Sequence, residues 1–230
     1  KRKLLSRRLR IATTEDNVAL VRQSKVVVLA VKPQIMNGVL TEIRPAVTPR
    51  HLFVSIAAGV TTPRLEAQLG AEARVVRVMP NTPALLGKGM AVVVSGARAT
   101  PADQKLALKL MRSVGRACAV EDERLMDPVT GLSGSGPAYV YLMAEAMIAG
   151  GIAAGLSETL AKELTLQTLV GAASMLAETG ETPQRLREMV TSPGGTTLAG
   201  LTELNRRGFV DAVSEAVVAA TRRSVELGRG

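Results

Sequence analysis

The chain has 230 residues, 47% of them hydrophobic and 21% charged, a globular balance long enough for one large domain or two small ones. Its net charge of +9 raises nucleic-acid binding, but the aromatics are only Phe53, Tyr139, Tyr141 and Phe209, too few for a stacking platform, so no nucleic-acid partner is expected. One His and one Cys exclude an internal disulfide, a convincing zinc cluster and a nucleophile with a credible histidine base.

A reducing, cytoplasmic setting follows most simply from the lone Cys118. No membrane span is expected, because the most apolar stretch, residues 136–156, is interrupted by Glu145. The basic start KRKLLSRRLR lacks the apolar core of a secretion signal. Lys1 is not a methionine, and any leader before it is left open.

From there to about residue 120, short β-branched runs alternate with helical segments. VVVLAV (26–31), LFVSI (52–56), RVVRVM (74–79), AVVVS (91–95) and, more weakly, ACAV (117–120) read as strands buried on both faces. Between them, residues 34–45, 62–70 and 99–115 read as helices. The second stops at Gly70; the third opens with Thr100 as N-cap and Pro101 in the first turn. Such alternation predicts a parallel, doubly wound sheet with crossover helices.

Beyond about residue 122 the pattern becomes wholly helical, over 136–156, 157–180, 182–190, 196–208 and 210–228, with Ser157 placed as an N-cap. The Gly/Ala content of the first two of these helices permits close approach, as in a bundle completed by a second subunit. The boundaries that follow are 1–124 for the α/β part and 125–230 for the helical part.

In open α/β sheets ligands bind at the carboxyl ends of strands. Here those ends run into KPQ, AAGV and PNTP, where Ala57, Ala58 and Gly59 would let a flat ligand lie on the backbone and Asn81 and Thr82 add polar groups. Turns of this composition also occur with no ligand; three at successive strand ends make the two readings about equal. No Gly-x-Gly-x-x-Gly precedes Val26, so either the chain binds no dinucleotide or its first βαβ unit lies upstream of Lys1. LSGSGPAY (132–139) and TSPGGTTLAG (191–200) are the second candidates. Gly194 and Gly195 allow a sharp bend that points amides outward, with Thr196 and Thr197 at a helix start; the alternative is a helix start with no ligand. His51 reads as structural or solvated, Cys118 as an inert buried thiol, and Glu121 with Glu123 as a solvated helix start.

AVKPQ, SIAAGV, MPNTP, DPVTGLSGSGPAY and MVTSPGGTT, in this order and spacing, closely resemble pyrroline-5-carboxylate reductase, from TTEDN (13–17) to the last helix. The resemblance implies a Rossmann-like parallel sheet domain, its first βαβ unit missing here, followed by an all-α helical dimerisation domain. It also implies NADPH (or NADH) as cofactor, 1-pyrroline-5-carboxylate as substrate, L-proline as product, and an interlocked dimer within a larger assembly of dimers. By position, the cofactor would meet Asn17, the turn Ala30, Val31, Lys32 and Pro33, then Ile56, Ala57, Ala58, Asn81 and Glu123. The substrate would meet Ser192, Gly194, Gly195, Thr196 and Thr197, with Ser135 and Glu181 also near it, and Thr197 as the catalytic residue. No metal is implied. The rivals are a β-hydroxyacid dehydrogenase-type oxidoreductase, which wants a lysine that does not occur between Gly136 and Leu156, and a non-catalytic helical assembly module.

Overall fold

The structure is a computed structural model and describes residues 2–229; Lys1 and Gly230, the outer limits of the two expected parts, lie outside the described residues. After α1 (Arg2–Leu9) and α2 (Asn17–Gln23) come β1 (Val26–Leu29), α3 (Pro33–Ile43), β2 (Leu52–Ser55), α4 (Thr62–Leu69), β3 (Arg74–Met79), β4 (Gly89–Ser95), α5 (Pro101–Arg112) and β5 (Gly115–Ala119). The five strands form one sheet in chain order, β1-β2-β3-β4-β5.

One pairing departs from the all-parallel expectation. β3 and β4 are antiparallel, with Met79 opposite Val92, whereas β1-β2, β2-β3 and β4-β5 are parallel. The reason is the connection: residues 80–88 hold only a 3-10 turn, Thr82–Leu86, too short for the crossover a parallel pair needs.

Apolar side chains cover both faces of the sheet. Leu29, Phe53 and Val75 pack with Met36 and Leu40 of α3 and Leu65 of α4; Val54, Val76, Val78 and Val93 pack with Ala107 of α5. Burial on both faces, as expected, runs the whole length of β2 and through the middles of β3 and β4. Val28 in β1 is 49% exposed, and β5 is mostly exposed, because each has a single neighbouring strand. Cys118 is therefore exposed rather than buried: Ala117 packs toward the core and the next residue points to the opposite face.

Local signals act as their chemistry dictates. Thr100 Oγ1 accepts from the Asp103 amide while the Asp103 carboxylate accepts from the Thr100 amide at 2.9 Å, a reciprocal cap for α5. Arg74 donates to the same carboxylate at 2.7 Å. Burial opposes the Asp103 charge, but these donors outweigh it and hold the carboxyl below its ordinary range. His51 is fully buried, not solvated, and its Nδ1 accepts from the Thr48 amide at 2.9 Å.

After Ala119 the described residues contain no strand. α6 (Met126–Val129) continues through a π turn, Thr130–Gly134, into α7 (Gly136–Ala153); α8 (Glu158–Glu178), α9 (Pro183–Met189), α10 (Thr196–Arg206) and α11 (Phe209–Arg229) follow. Ser157 caps α8 by accepting from the Leu160 amide at 3.3 Å. Two compact units result, Lys1–Ser135 with Val218–Gly230, and Gly136–Val217. Within the second, α7 and α8 approach closely at Gly151, where an added Cβ would lie 3.1 Å from that of Ala161.

Candidate active site

In the first unit, Leu29, Ser55 and Arg77 stand side by side in the ladder, so the carboxyl ends of β1, β2 and β3 reach one edge together. The Ile56 amide donates to the Leu29 carbonyl at 3.1 Å and carries the ladder one step further. There the chain turns through Ala57, buried, Ala58, half-buried, and Gly59, whose φ of +72° strains any other residue. A Cβ on Gly59 would also meet the Leu227 Cβ of α11 at 3.1 Å. Beside this ledge, Ala30, Lys32 and Pro33 are exposed where α3 begins, and Lys32 provides no side-chain cap. Pro33 has no N–H and the Ile35 amide donates to the Lys32 carbonyl at 3.1 Å, so of these first three helical residues Gln34 keeps an open amide.

Asn81 completes the edge. Its Oδ1 accepts from the Met90 amide at 2.9 Å and its Nδ2 donates to the Ser133 carbonyl at 3.2 Å, tying the start of β4 and the π turn to the end of β3. Ser135, half-buried, closes that turn through its amide, which donates to the Thr130 carbonyl at 2.9 Å. One donor hydrogen and one lone pair of the Asn81 amide group remain beyond these two bonds.

Glu123 is not part of a solvated helix start, although Glu121 is exposed. Its Oε1 accepts from Arg77 Nη1 at 2.5 Å, and its Oε2 accepts from Thr62 Oγ1 at 2.9 Å. The carboxylate turns inward because Arg77, 1% exposed in the middle of β3, has no other acid in reach among the described residues. Arg77 and Thr62 were absent from the sequence-based site. The signal that could have found them is the arginine inside the apolar run RVVRVM, since a charge on a core strand demands a partner.

In the second unit, the Gly195 amide donates to the Ser192 carbonyl at 3.0 Å around Pro193 and Gly194, whose φ is +70°. α10 begins immediately afterwards with Gly195 as N-cap, which has no side chain to cover the first amides. Thr196 is exposed and Thr197 half-buried at that start. An uncapped helix start of this kind attracts a carboxylate.

Two further expected site residues make bonds of their own. Asn17 Nδ2 donates to Glu42 Oε2 at 2.9 Å on the last turn of α3, roughly 14 Å along that helix from Pro33 at 1.5 Å per residue. Glu181 is exposed after α8, its amide donating to Thr179 Oγ1 at 3.2 Å. The described residues contain no group of three metal-ligating side chains and no helix long and apolar enough to cross a membrane.

Residues 123–227 match the family model described as pyrroline-5-carboxylate reductase dimerisation, and residues 1–59 match one described as NADP oxidoreductase, coenzyme F420-dependent. A pyrroline-5-carboxylate reductase of Glycine max is 46% identical over 94% of this chain and 78% of its own length. One from Methanosarcina acetivorans is 44% identical over 98% of this chain and 83% of its own. The crystal structure of Plasmodium falciparum pyrroline carboxylate reductase with NADP bound superposes with a TM-score of 0.88 at 38% identity, covering 94% of this chain and 81% of that one.

Proposed function

The chain belongs to the pyrroline-5-carboxylate reductase family, and from that membership we infer its reaction and how its residues divide the work. It is a nicotinamide-dependent oxidoreductase acting on a C=N bond: it reduces the cyclic imine 1-pyrroline-5-carboxylate to L-proline, the last step of proline biosynthesis. The observation that carries this reading is identity of 44–46% running through both compact units rather than through one. Relatives of that extent favour neither a β-hydroxyacid dehydrogenase nor a helical module without catalysis.

The residues present fit a nicotinamide cofactor. Ala57, Ala58 and Gly59 keep side chains off the ledge at the strand ends, and the uncapped start of α3 lies beside it. We assign cofactor contacts to Ala30, Val31, Lys32, Pro33, Ile56, Ala57, Ala58 and Asn81. Asn17 stays in that proposed set, since its Nδ2 bond to Glu42 leaves one donor hydrogen and Oδ1 available. NADPH is the form supported by the NADP-bound relative and by the NADP oxidoreductase match. Residues 1–124 would serve the cofactor, and residues 125–230 the substrate and the partner subunit.

When bound, the reduced nicotinamide supplies a hydride to the imine carbon. The protein's own part is placement. The open amides at Thr196 and Thr197 hold the ring carboxylate, with the bend from Ser192 through Gly194 to Gly195 setting their direction. Thr197 Oγ1 stands by the ring nitrogen, which stays protonated and becomes the amine of proline. Ser135 and Glu181 are secondary candidates for substrate contact. An imine is already electrophilic when protonated, so no covalent nucleophile or metal is needed and orientation carries much of the rate.

The dimer that the matched dimerisation family implies is the first assembly, and a larger assembly of dimers in the cytoplasm is our fuller proposal. The protein incubated with pyrroline-5-carboxylate and NADPH should oxidise the cofactor and form proline, with NADH slower. Absence of proline under both cofactors would refute the reading.

A further inference from the structure

We infer that Arg77 and Glu123 act as a positioning pair that sets the cofactor ledge at Ile56–Ala58 from beneath. The inference rests on the reading that places the cofactor on that ledge, and it concerns residues that need not touch the cofactor.

The ledge is held at both ends by the same residue, through its backbone at one and its side chain at the other. At one end, Arg77 lies opposite Ser55 in the ladder, and Ser55 leads directly into Ile56. At the other, Arg77 Nη1 fixes Glu123, whose two oxygens take Thr62 Oγ1 at 2.9 Å and the Thr62 amide at 3.4 Å. Thr62 is the first residue of α4, and its N-cap Thr61 gives no side-chain bond. Glu123 therefore supplies in space the cap that α4 lacks in sequence. Six residues, 56–61, span these two anchors, and they include every small residue of the ledge.

Stability alone does not call for a charge here. Val75, Val76 and Val78 flank Arg77 along the strand, and hydrocarbon of equal volume commonly replaces a buried ion pair without loss. Moreover, Arg77 Nε and Nη2 are buried without a hydrogen-bond partner, so the guanidinium is only partly satisfied. What the pair adds over hydrocarbon is a directional link between β3, the segment opening at Glu123 and the first turn of α4. Glu123 thereby acquires a role through Thr62, in place of the direct cofactor contact that the resemblance implies.

The test compares wild type with Arg77→Met/Glu123→Gln, Arg77→Lys, Thr62→Ala and Thr62→Ser. NADPH Kd is read by calorimetry, KM for pyrroline-5-carboxylate and kcat at saturating cofactor by kinetics, and Tm by heating. Expected is an NADPH Kd raised about tenfold in the double variant and in Thr62→Ala, with substrate KM and kcat within about twofold. Arg77→Lys and Thr62→Ser should recover most of that loss. The double variant should keep the wild-type Tm. Should every variant bind NADPH as wild type does, whatever its Tm, the pair is merely structural and the inference falls. Wild-type protein that binds no nicotinamide cofactor would instead sink the functional reading, and this inference with it.

Discussion

Ser192 and Gly195 close the bend before α10 by a single bond, carbonyl to amide, at 3.0 Å. Pro193 and Gly194 occupy its corners, the proline pre-set for the first and the glycine free to take a φ of +70° at the second. A methyl group on Gly195 would run into Ser192 Oγ and lie 3.1 Å from its carbonyl oxygen, so Gly195→Ala turns the Ser192 hydroxyl away and crowds the bend. Substrate KM should rise about tenfold, while NADPH Kd stays within about twofold. Steady-state kinetics at saturating NADPH decide it; an unchanged KM would remove the bend from substrate binding.

Thr197 differs from the backbone in what it offers. Its amide is shared by any residue at the position, but its hydroxyl is not. Thr197→Ala should therefore lower kcat about tenfold with NADPH binding nearly intact, and Thr197→Ser should keep most of the rate. Kinetics for the alanine variant that match wild type would take the hydroxyl out of the mechanism.

Much of this is legible in the sequence. Five strands, the helix stop at Gly70, the caps at Thr100 and Ser157 and the bend at 192–195 follow from local chemistry, and the structure places each there. What was not legible depends on distant partners. The direction of β4 depends on a connection too short for a crossover, although AVVVS looks the same in either orientation. The exposure of Cys118 depends on β5 having one neighbour. Glu123 looks like an ordinary helix-start acid until Arg77, 46 residues earlier, comes to meet it.

Gly59 carries two constraints that one substitution can separate. Its φ of +72° disfavours any side chain, and its Cβ position lies 3.1 Å from Leu227 Cβ. Gly59→Ala should destabilise by about 1 kcal/mol or more, a Tm loss of a few degrees, and weaken NADPH. Adding Leu227→Gly, read against Leu227→Gly alone, removes that Cβ and with it the steric share, and leaves the backbone share. Full recovery of Tm in the double variant would mean that backbone strain contributes nothing.

His51 makes stability pH-dependent in a defined direction. Burial, aided by the charges of Arg50 and Arg74, lowers its pKa below the ordinary 6.5. Its Nδ1 can accept from the Thr48 amide only while unprotonated. Between the folded value and 6.5 the unfolded chain binds more protons, so stability rises with pH there and is lost as pH falls below about 6.5. Asp103 has the same sign but acts lower, in the carboxylate range. His51→Asn keeps an acceptor without a titrating ring. Its Tm should be flatter than wild type between about pH 5 and 6.5, even if lower throughout. An equal slope in both proteins would assign the acid sensitivity elsewhere.

Leu142 in α7 is 66% exposed and Val170 in α8 is 55% exposed. Neither helix confines its apolar residues to one face, which in water calls for cover on several sides. A second copy of the chain supplies that cover in the dimer implied by the matched dimerisation family. Leu142→Glu with Val170→Glu would bury two unpaired charges there, several kcal/mol against association. Light scattering should then report a monomer in place of the wild-type dimer or multiple of it. With the interface lost, Tm should fall and become independent of protein concentration, because dissociation no longer accompanies unfolding. If the double variant keeps the wild-type mass, these two positions lie outside the interface and some other face must cover the helices.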